Sequence, residues 1–361
     1  MTQLKLKPGI VTGNALKELL DYCKSTGCAL PAVNVIGSHT ANAAIEAARQ
    51  ANAPIIIQYS HGGAQFNAGK FLDALPGNKE KNAASITGAV AGAHHVRTVA
   101  EAYGVPVVLH TDHCAKKLLG WVDGVLAAGE AWHKETGKPL FSSHMLDLSE
   151  EPLRENLEIS RQYLTRMAKI DMTLEIELGV TGGEEDGVDH AGIENSKLYT
   201  QPEDVLAAYD ALHPIGSFTV AASFGNTHGV YAPGNVKLTP KILKNSQERI
   251  QKDRKTGDKP VHFVFHGGSG STPEEIREAV SYGVVKMNID TDTQWAFLSP
   301  IKKYMDEKDA YLRSQLGNPE GPEKPNKKHI DPRVWMHLGE KGMVARLVQA
   351  FHDLGSFGKF G

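Results

Sequence analysis

Residues 30–60 read LPAVNVIGSHTANAAIEAARQANAPIIIQYS. LPAVNVI (30–36) and PIIIQYS (54–60) are short, β-branched and almost continuously apolar. Between them, 39–51 is Ala-rich and suits a helix. Strands buried on both faces read as such runs in parallel sheets, so the stretch predicts a strand–helix–strand unit. The pattern recurs outward. PVVLHTD (106–112), LFSSHML (140–146), TLEIELGV (173–180), FTVAASF (218–224), VHFVFHG (261–267) and VVKMNID (284–290) bring the strand-like runs to eight. Helical segments are expected near 82–103, 117–136, 151–169, 202–212, 239–254 and 273–281. The last has Ser271 or Thr272 as N-cap, then Pro273, Glu274 and Glu275. Eight β units, each followed by a helix, predict an α/β fold, a (β/α)8 TIM barrel, with residues 1–361 as a single domain. The runner-up, a doubly wound open sheet, needs a Gly-rich dinucleotide turn after its first strand, and VNVIGSHT is not GxGxxG.

Three stretches interrupt the alternation: 62–80, 181–200 and 316–332, all rich in Gly, Pro or charge. They are expected to be long active-site loops. Segment 333–353 reads as one or two extra C-terminal helices. The composition is that of a soluble globular chain: 41% hydrophobic, 22% charged, net charge −3. It argues against a dedicated nucleic-acid binder. No run of about 18 apolar residues suggests a membrane span, and MTQLKLKPGIVTG has no secretory signal core. Three cysteines without a CxxC pair fit a reducing, cytoplasmic compartment; Cys114 reads as a small buried residue.

A barrel places its chemistry at the C-terminal ends of its strands. Polar residues gather there: Asn34, Ser60, His110, Asp112, His113, Asp147, Glu177, Asn226, His228, His266, Asn288 and Asp290. HTDH (110–113) reads either as metal ligation beside a general acid/base or as one core histidine with a loop aspartate. His228 and His266 also follow apolar runs and precede Gly. Three imidazoles on one barrel face, with one position open, suit a catalytic zinc. The turn HGGSGS (266–271) leads into a helix and NIDTD (288–292) ends the last run, which together favour a phosphorylated ligand. TGGEEDGVD (181–189) reads as a hinged lid carrying a base or as a solvated acidic loop. Lys286 is a Schiff-base lysine or an ion-paired one. The basic residues Lys324, Lys327, Lys328 and Arg333 are a solvated loop or a source of charge for a phosphate.

The blocks PAVNV, VVLHTDHCAKKLL, FSSHMLDLSEE, LEIELGVTGGEEDGV, FGNTHGVY, VFHGGSGS, NIDTDTQWAF and GNPEGPEKPNKKHIDPRVW resemble the class II, zinc-dependent fructose-bisphosphate aldolases, in their longer glycolytic subfamily. The resemblance runs from about Gly9 to about Gly342; the closing QAFHDLGSFGKFG matches nothing. It implies metal-dependent, reversible cleavage of fructose 1,6-bisphosphate to dihydroxyacetone phosphate and glyceraldehyde 3-phosphate, in glycolysis and gluconeogenesis. It further implies Zn2+ held by His113, His228 and His266 and stabilising an enediolate. Asp147, Glu177 and, with lower rank, His110 match a second divalent metal position. Asp112 matches the group exchanging a proton with the C4 hydroxyl, and Glu185 the mobile-loop carboxylate acting at C3. Asn34, Ser60, Gly229, Gly267, Gly268, Ser269, Asn288, Asp290 and Thr291 match substrate- and phosphate-contacting positions, with a monovalent cation (K+ or Na+) nearby. Arg333 matches an arginine reaching the second phosphate, often from the partner of a homodimer. Rival readings are an aldolase for tagatose or sedoheptulose bisphosphate, a metal-dependent hydrolase on the same barrel, and a non-catalytic binder.

Overall fold

The computed structural model describes residues 3–76, 81–179, 182–185, 188–189, 199–228 and 238–361, with backbone alone at 182–185, 188–189 and 227–228. The eight runs are the eight strands of a barrel: β1 (Leu30–Asn34), β2 (Ile55–Tyr59), β3 (Pro106–Thr111), β4 (Ser143–Leu146), β5 (Thr173–Leu178), β6 (Phe218–Ala222), β7 (Phe263–Phe265) and β8 (Val284–Asn288). All pair in parallel in the order β3-β2-β1-β8-β7-β6-β5-β4. Two seams close the ring: Asn288 opposite Ala32 between β8 and β1, and His110 opposite Ser143 between β4 and β3. This is a TIM barrel. Helices lie between the strands, among them Ser38–Ala51, Ala83–Tyr103, Leu119–Thr136, Leu153–Ala168, Pro202–Leu212, Lys241–Arg254 and Pro273–Ser281. The last is capped as its sequence suggests: Glu275 N–H donates to Thr272 Oγ1 at 3.3 Å, and Thr272 N–H to Glu275 Oε2 at 2.9 Å.

Side chains alternate across each strand. In β5, Leu174, Ile176 and Leu178 belong to the apolar core, and Glu175 and Glu177 take the opposite face. In β8 the same parity groups Lys286 with Asn288. In β3 it groups His110 with Asp112, the residue that follows the strand. The apolar layer between strands and helices holds the molecule together, while the barrel's inner face turns polar toward the strand C-termini.

Several expectations change. Stretch 62–80 is not simply a loop, since His61–Ala68 is an α-helix and Lys70–Ala74 a 3₁₀ turn. Its glycines, poor helix formers, hide this; what lets the helix dock is a glycine of the helix it packs against. Gly88 of Ala83–Tyr103 packs so tightly that a Cβ there would lie 1.8 Å from the Ala64 carbonyl oxygen. Gly88→Ala is therefore expected to destabilise the fold by about 3 kcal/mol in urea unfolding. The control Gly129→Ala, whose Cβ would meet nothing within 4 Å, is expected to be neutral or slightly stabilising.

Stretch 316–332 holds a small hairpin, Leu316–Asn318 with Gly321–Pro325, and a helical turn, Lys327–Ile330. Buried Asn326 ties it together, donating to the Ser314 and Gly317 carbonyls at 2.9 and 3.0 Å. Lys324, Lys327 and Lys328 are exposed on it. Segment 333–353 is one helix, Pro332–Asp353, packed on the helix Thr291–Glu307. The closing residues, unmatched in the sequence reading, dock under the barrel's N-terminal rim. Ala29 N–H donates to the Leu354 carbonyl at 3.0 Å, Lys359 Nζ to the Thr26 carbonyl at 3.0 Å, and Asn52 Nδ2 to the Phe360 carbonyl at 2.7 Å. Leu354 and Phe360 are buried there. All three cysteines are unbridged and buried, Cys114 included. Among the described residues, no helix is long and apolar enough to cross a membrane.

Candidate active site

Asp112 leaves β3 with its backbone N–H bonded to the Tyr59 carbonyl at 2.9 Å. Its carboxylate is gripped by three neutral amides from three neighbouring strands. Gln58 Nε2 donates at 2.7 Å, Asn34 Nδ2 at 3.0 Å and Asn288 Nδ2 at 3.1 Å. Gln58 also bridges to Asn34 Oδ1 at 2.6 Å. Parallel register sets this up, because Asn34 lies opposite Gln58 and Gln58 opposite His110. Three donors aimed at one carboxylate fix its position and orientation.

The next residue, His113, has φ +38°, a left-handed backbone uncommon outside glycine. Strain of this kind marks a position that the surrounding structure holds for a purpose. The turn brings its ring 4.6 Å, centroid to centroid, from that of His266 at the end of β7. His113 Nδ1 lies 3.1 Å from Asp147 Oδ2 and 3.8 Å from Glu177 Oε2. His266 Nδ1 lies 3.2 Å from that same Glu177 oxygen, and its Nε2 lies 2.8 Å from Glu175 Oε1. Asp147 is steadied by the Ser149 hydroxyl, which donates to Oδ1 at 2.7 Å. Burial pushes the Asp147 carboxyl up, but His113 and Ser149 outweigh it and hold it at about 2. Burial likewise works against a charged His266, yet Glu177 and Glu175 pull the imidazole up to about 9.

The donor set fits a divalent cation. Ligand atoms of His113, Asp147 and Glu177 all lie within 4.8 Å of one another, as do those of Asp112, His113 and His266. Mixed imidazole and carboxylate donors suit zinc and its first-row neighbours. His110 is not brought into these sets. It groups with Asp112 and Glu175, its Nδ1 sits 2.7 Å from Ser143 Oγ, and burial pushes its imidazole down to about 3, so it stays neutral.

His228 is placed by its backbone: Thr227–His228 pairs in parallel with Gly182–Gly183. The loop carrying Glu185 is thus stitched to the loop carrying His228, and Glu185 itself lies opposite Val188. The side chains of His228 and Glu185, and Gly229 altogether, lie outside the described residues. Ser60 caps the helix His61–Ala68 by accepting from Gly63 N–H at 3.2 Å. The β7 and β8 turns meet, with Asp292 N–H donating to Ser269 Oγ at 3.3 Å and Gly268 N–H to the Asn288 carbonyl at 3.2 Å. Gly267 adopts φ +63°, and a Cβ on Gly268 would lie 2.5 Å from Met287. Asp290 and Thr291 open the following helix. Arg333 stands apart, 89% exposed and paired with Asp331. Sequence reasoning missed Glu175 and Gln58. Their signal was a polar residue inside an apolar run, two positions from a recognised one and so on the same face.

The family model for class-II fructose-bisphosphate aldolase matches residues 14–359. The chain belongs to the class-II fructose-bisphosphate aldolase family. The match takes in most of the closing segment that the sequence reading had left aside. The chain is 58% identical to the fructose-bisphosphate aldolase of Haemophilus influenzae over 97% of this chain and 96% of that one. It is 57% identical to the fructose-bisphosphate aldolase class 2 of Escherichia coli K12, with the same coverage. The crystal structure of the Campylobacter jejuni fructose-bisphosphate aldolase superposes with a TM-score of 0.87 at 53% identity, covering 98% of both chains.

Proposed function

We propose that this chain is a lyase that cleaves fructose 1,6-bisphosphate reversibly into dihydroxyacetone phosphate and glyceraldehyde 3-phosphate, in glycolysis and gluconeogenesis. The observation that carries the reading is the three-amide grip on Asp112 directly beside the His113–His266 pair. It sets a firmly held carboxylate base beside a cation site at the C-terminal end of the barrel strands. In the cleavage direction Asp112 accepts the C4-hydroxyl proton as the C3–C4 bond breaks and its electron pair moves toward the C2 carbonyl. Glu185 returns a proton to C3. His113, His228 and His266 hold the catalytic divalent cation, with zinc the choice that suits the imidazoles. When bound, that cation supplies Lewis-acid stabilisation of the negative charge developing on the substrate oxygens.

Asp147 and Glu177, with His110 behind them, serve a second divalent position. Asn34, Ser60 and Asn288 orient the sugar. Gly229, Gly267, Gly268, Ser269, Asp290 and Thr291 receive one phosphate, with K+ or Na+ beside it. Arg333 reaches the other phosphate from the partner of a homodimer. Its exposure fits that task, as do exposed Trp295 and Leu298 on the helix Thr291–Glu307, apolar surface that a second copy would cover. The chain works in the cytoplasm as one barrel domain, a setting in which its three buried thiols stay reduced.

The test couples released dihydroxyacetone phosphate to NADH oxidation, with fructose, tagatose and sedoheptulose bisphosphates run in parallel. Fructose 1,6-bisphosphate is expected to give the highest kcat/KM. Preference for another ketose bisphosphate would reassign the substrate. A lysine adduct trapped by borohydride during turnover would replace the metal chemistry with an imine route.

A further inference from the structure

The barrel contains a buried cation of its own. Lys286, on β8, is only 4% exposed. Its Nζ donates to both oxygens of Glu175 at 2.8 Å each and lies 4.0 Å from Asp112 Oδ1. An ammonium clamped by both oxygens of a buried carboxylate is not the free amine that imine formation requires. Of the two roles the sequence allowed, the ion-paired one is observed, and it has a purpose. Glu175 spends Oε1 a second time, 2.8 Å from His266 Nε2, while Oε2 faces His110 Nε2 at 3.6 Å.

An imidazole binds a metal through one nitrogen, and the partner of its other nitrogen sets both tautomer and ring angle. With Nε2 turned to Glu175, it is His266 Nδ1 that faces Glu177, at 3.2 Å. Glu175 is itself buried, 2% exposed, and the Lys286 ammonium, bonded to both its oxygens, fixes where the carboxylate sits and how it is turned. Ligand atoms of Glu175, His110 and Asp112 also lie within 4.8 Å of one another, an acidic cluster in which the ammonium of Lys286 supplies the positive charge.

We infer that Lys286 and Glu175 are a positioning pair: Lys286 fixes Glu175, and Glu175 fixes His266 with Nδ1 toward the cation site, so the pair sets how tightly the catalytic cation is held. The inference rests on the proposed role of His266 as a metal ligand. Neither residue needs to touch substrate or metal to act in this way.

The test uses the full chain, stripped of metal, as wild type, Lys286→Met, Glu175→Gln and the double variant. Zinc affinity is read by competition with a chromogenic chelator, and the site's geometry by the visible absorption of bound Co2+. Each single variant is expected to bind zinc about 10–100-fold more weakly and to shift the cobalt bands. The double variant is expected to be no weaker than the worse single, because the two residues act in series. Wild-type affinity together with an unaltered cobalt spectrum in the single variants would overturn the inference. If Lys286→Met fails to fold because Glu175 loses its counter-charge, the electrically neutral double variant decides: weakened affinity supports the pair, and wild-type affinity overturns it. The outcomes separate this inference from the reading beneath it. Wild type that neither binds zinc nor cleaves fructose 1,6-bisphosphate sinks both, whereas wild type that does both beside variants that bind equally well sinks only the pair.

Discussion

Treatment with EDTA is expected to abolish fructose 1,6-bisphosphate cleavage, and added zinc to restore it. Breaking C3–C4 leaves an electron pair that water alone stabilises poorly. The side chains described around the site are Asp112, neutral amides, imidazoles and further carboxylates. Among the described residues the one buried ammonium, Lys286, is committed to Glu175. Electrophilic help is therefore expected from the divalent cation that membership of the class II family implies. Several kcal/mol of charge stabilisation, at a factor of ten per 1.36 kcal/mol, predicts a loss of roughly 10³–10⁵-fold. Binding to the folded state alone also predicts a rise in Tm on zinc addition, about 2.7 kcal/mol of stabilisation at a hundredfold excess over Kd. Undiminished turnover in EDTA, with metal analysis showing a stripped protein, would refute the reading.

Asp112→Ala is expected to lower kcat by about 10²–10⁴-fold while zinc stays bound. Stability should fall as well. The alanine leaves Gln58, Asn34 and Asn288 amides facing a methyl group, and each buried donor without an acceptor costs about 1–3 kcal/mol unless water enters. Asp112→Asn separates the two effects. It keeps the shape and one acceptor oxygen but cannot take a proton, so it should recover part of the lost Tm and little of the lost kcat. Near-normal turnover in either variant would remove Asp112 from its role. Zinc content by atomic absorption keeps the result from being mistaken for metal loss.

The architecture was legible because a parallel barrel buries both faces of each strand, so the strands announce themselves as apolar runs. The exception is instructive. The run at 140–146 begins pairing as β4 only at Ser143. The space beside the start of β3 is taken by Gly9–Ile10, which pairs with Pro106–Val107. Ser142 joins the two by donating to the Val11 carbonyl at 2.7 Å and accepting from Leu109 N–H at 2.9 Å. A two-residue strand has no periodicity to detect. In the site, Asp112, His113 and His266 were legible because each directly follows an apolar run, where a barrel displays its chemistry. Glu175 and Gln58 were not, because their task is to hold other side chains. That task depends on register between strands, which no single run encodes. His61–Ala68 was hidden for a related reason: its stability comes from contact with Gly88 rather than from its own residues.

The closed ring and the tail beneath it also constrain how the molecule is made. β1 finds its second neighbour only when residues 284–288 arrive, and residues 354–360 seal contacts with Thr26, Ala29 and Asn52. During vectorial synthesis the first strand therefore waits for almost the entire chain to emerge before its exposed edge is satisfied. Any nascent chain stopped short of β8 presents two open strand edges, which are templates for aggregation and invite proteolysis. Such pairings across most of the chain are slow to form. Incomplete translation products are thus marked for removal by their own unpaired edges, whereas in the finished ring every barrel strand has a neighbour on both sides.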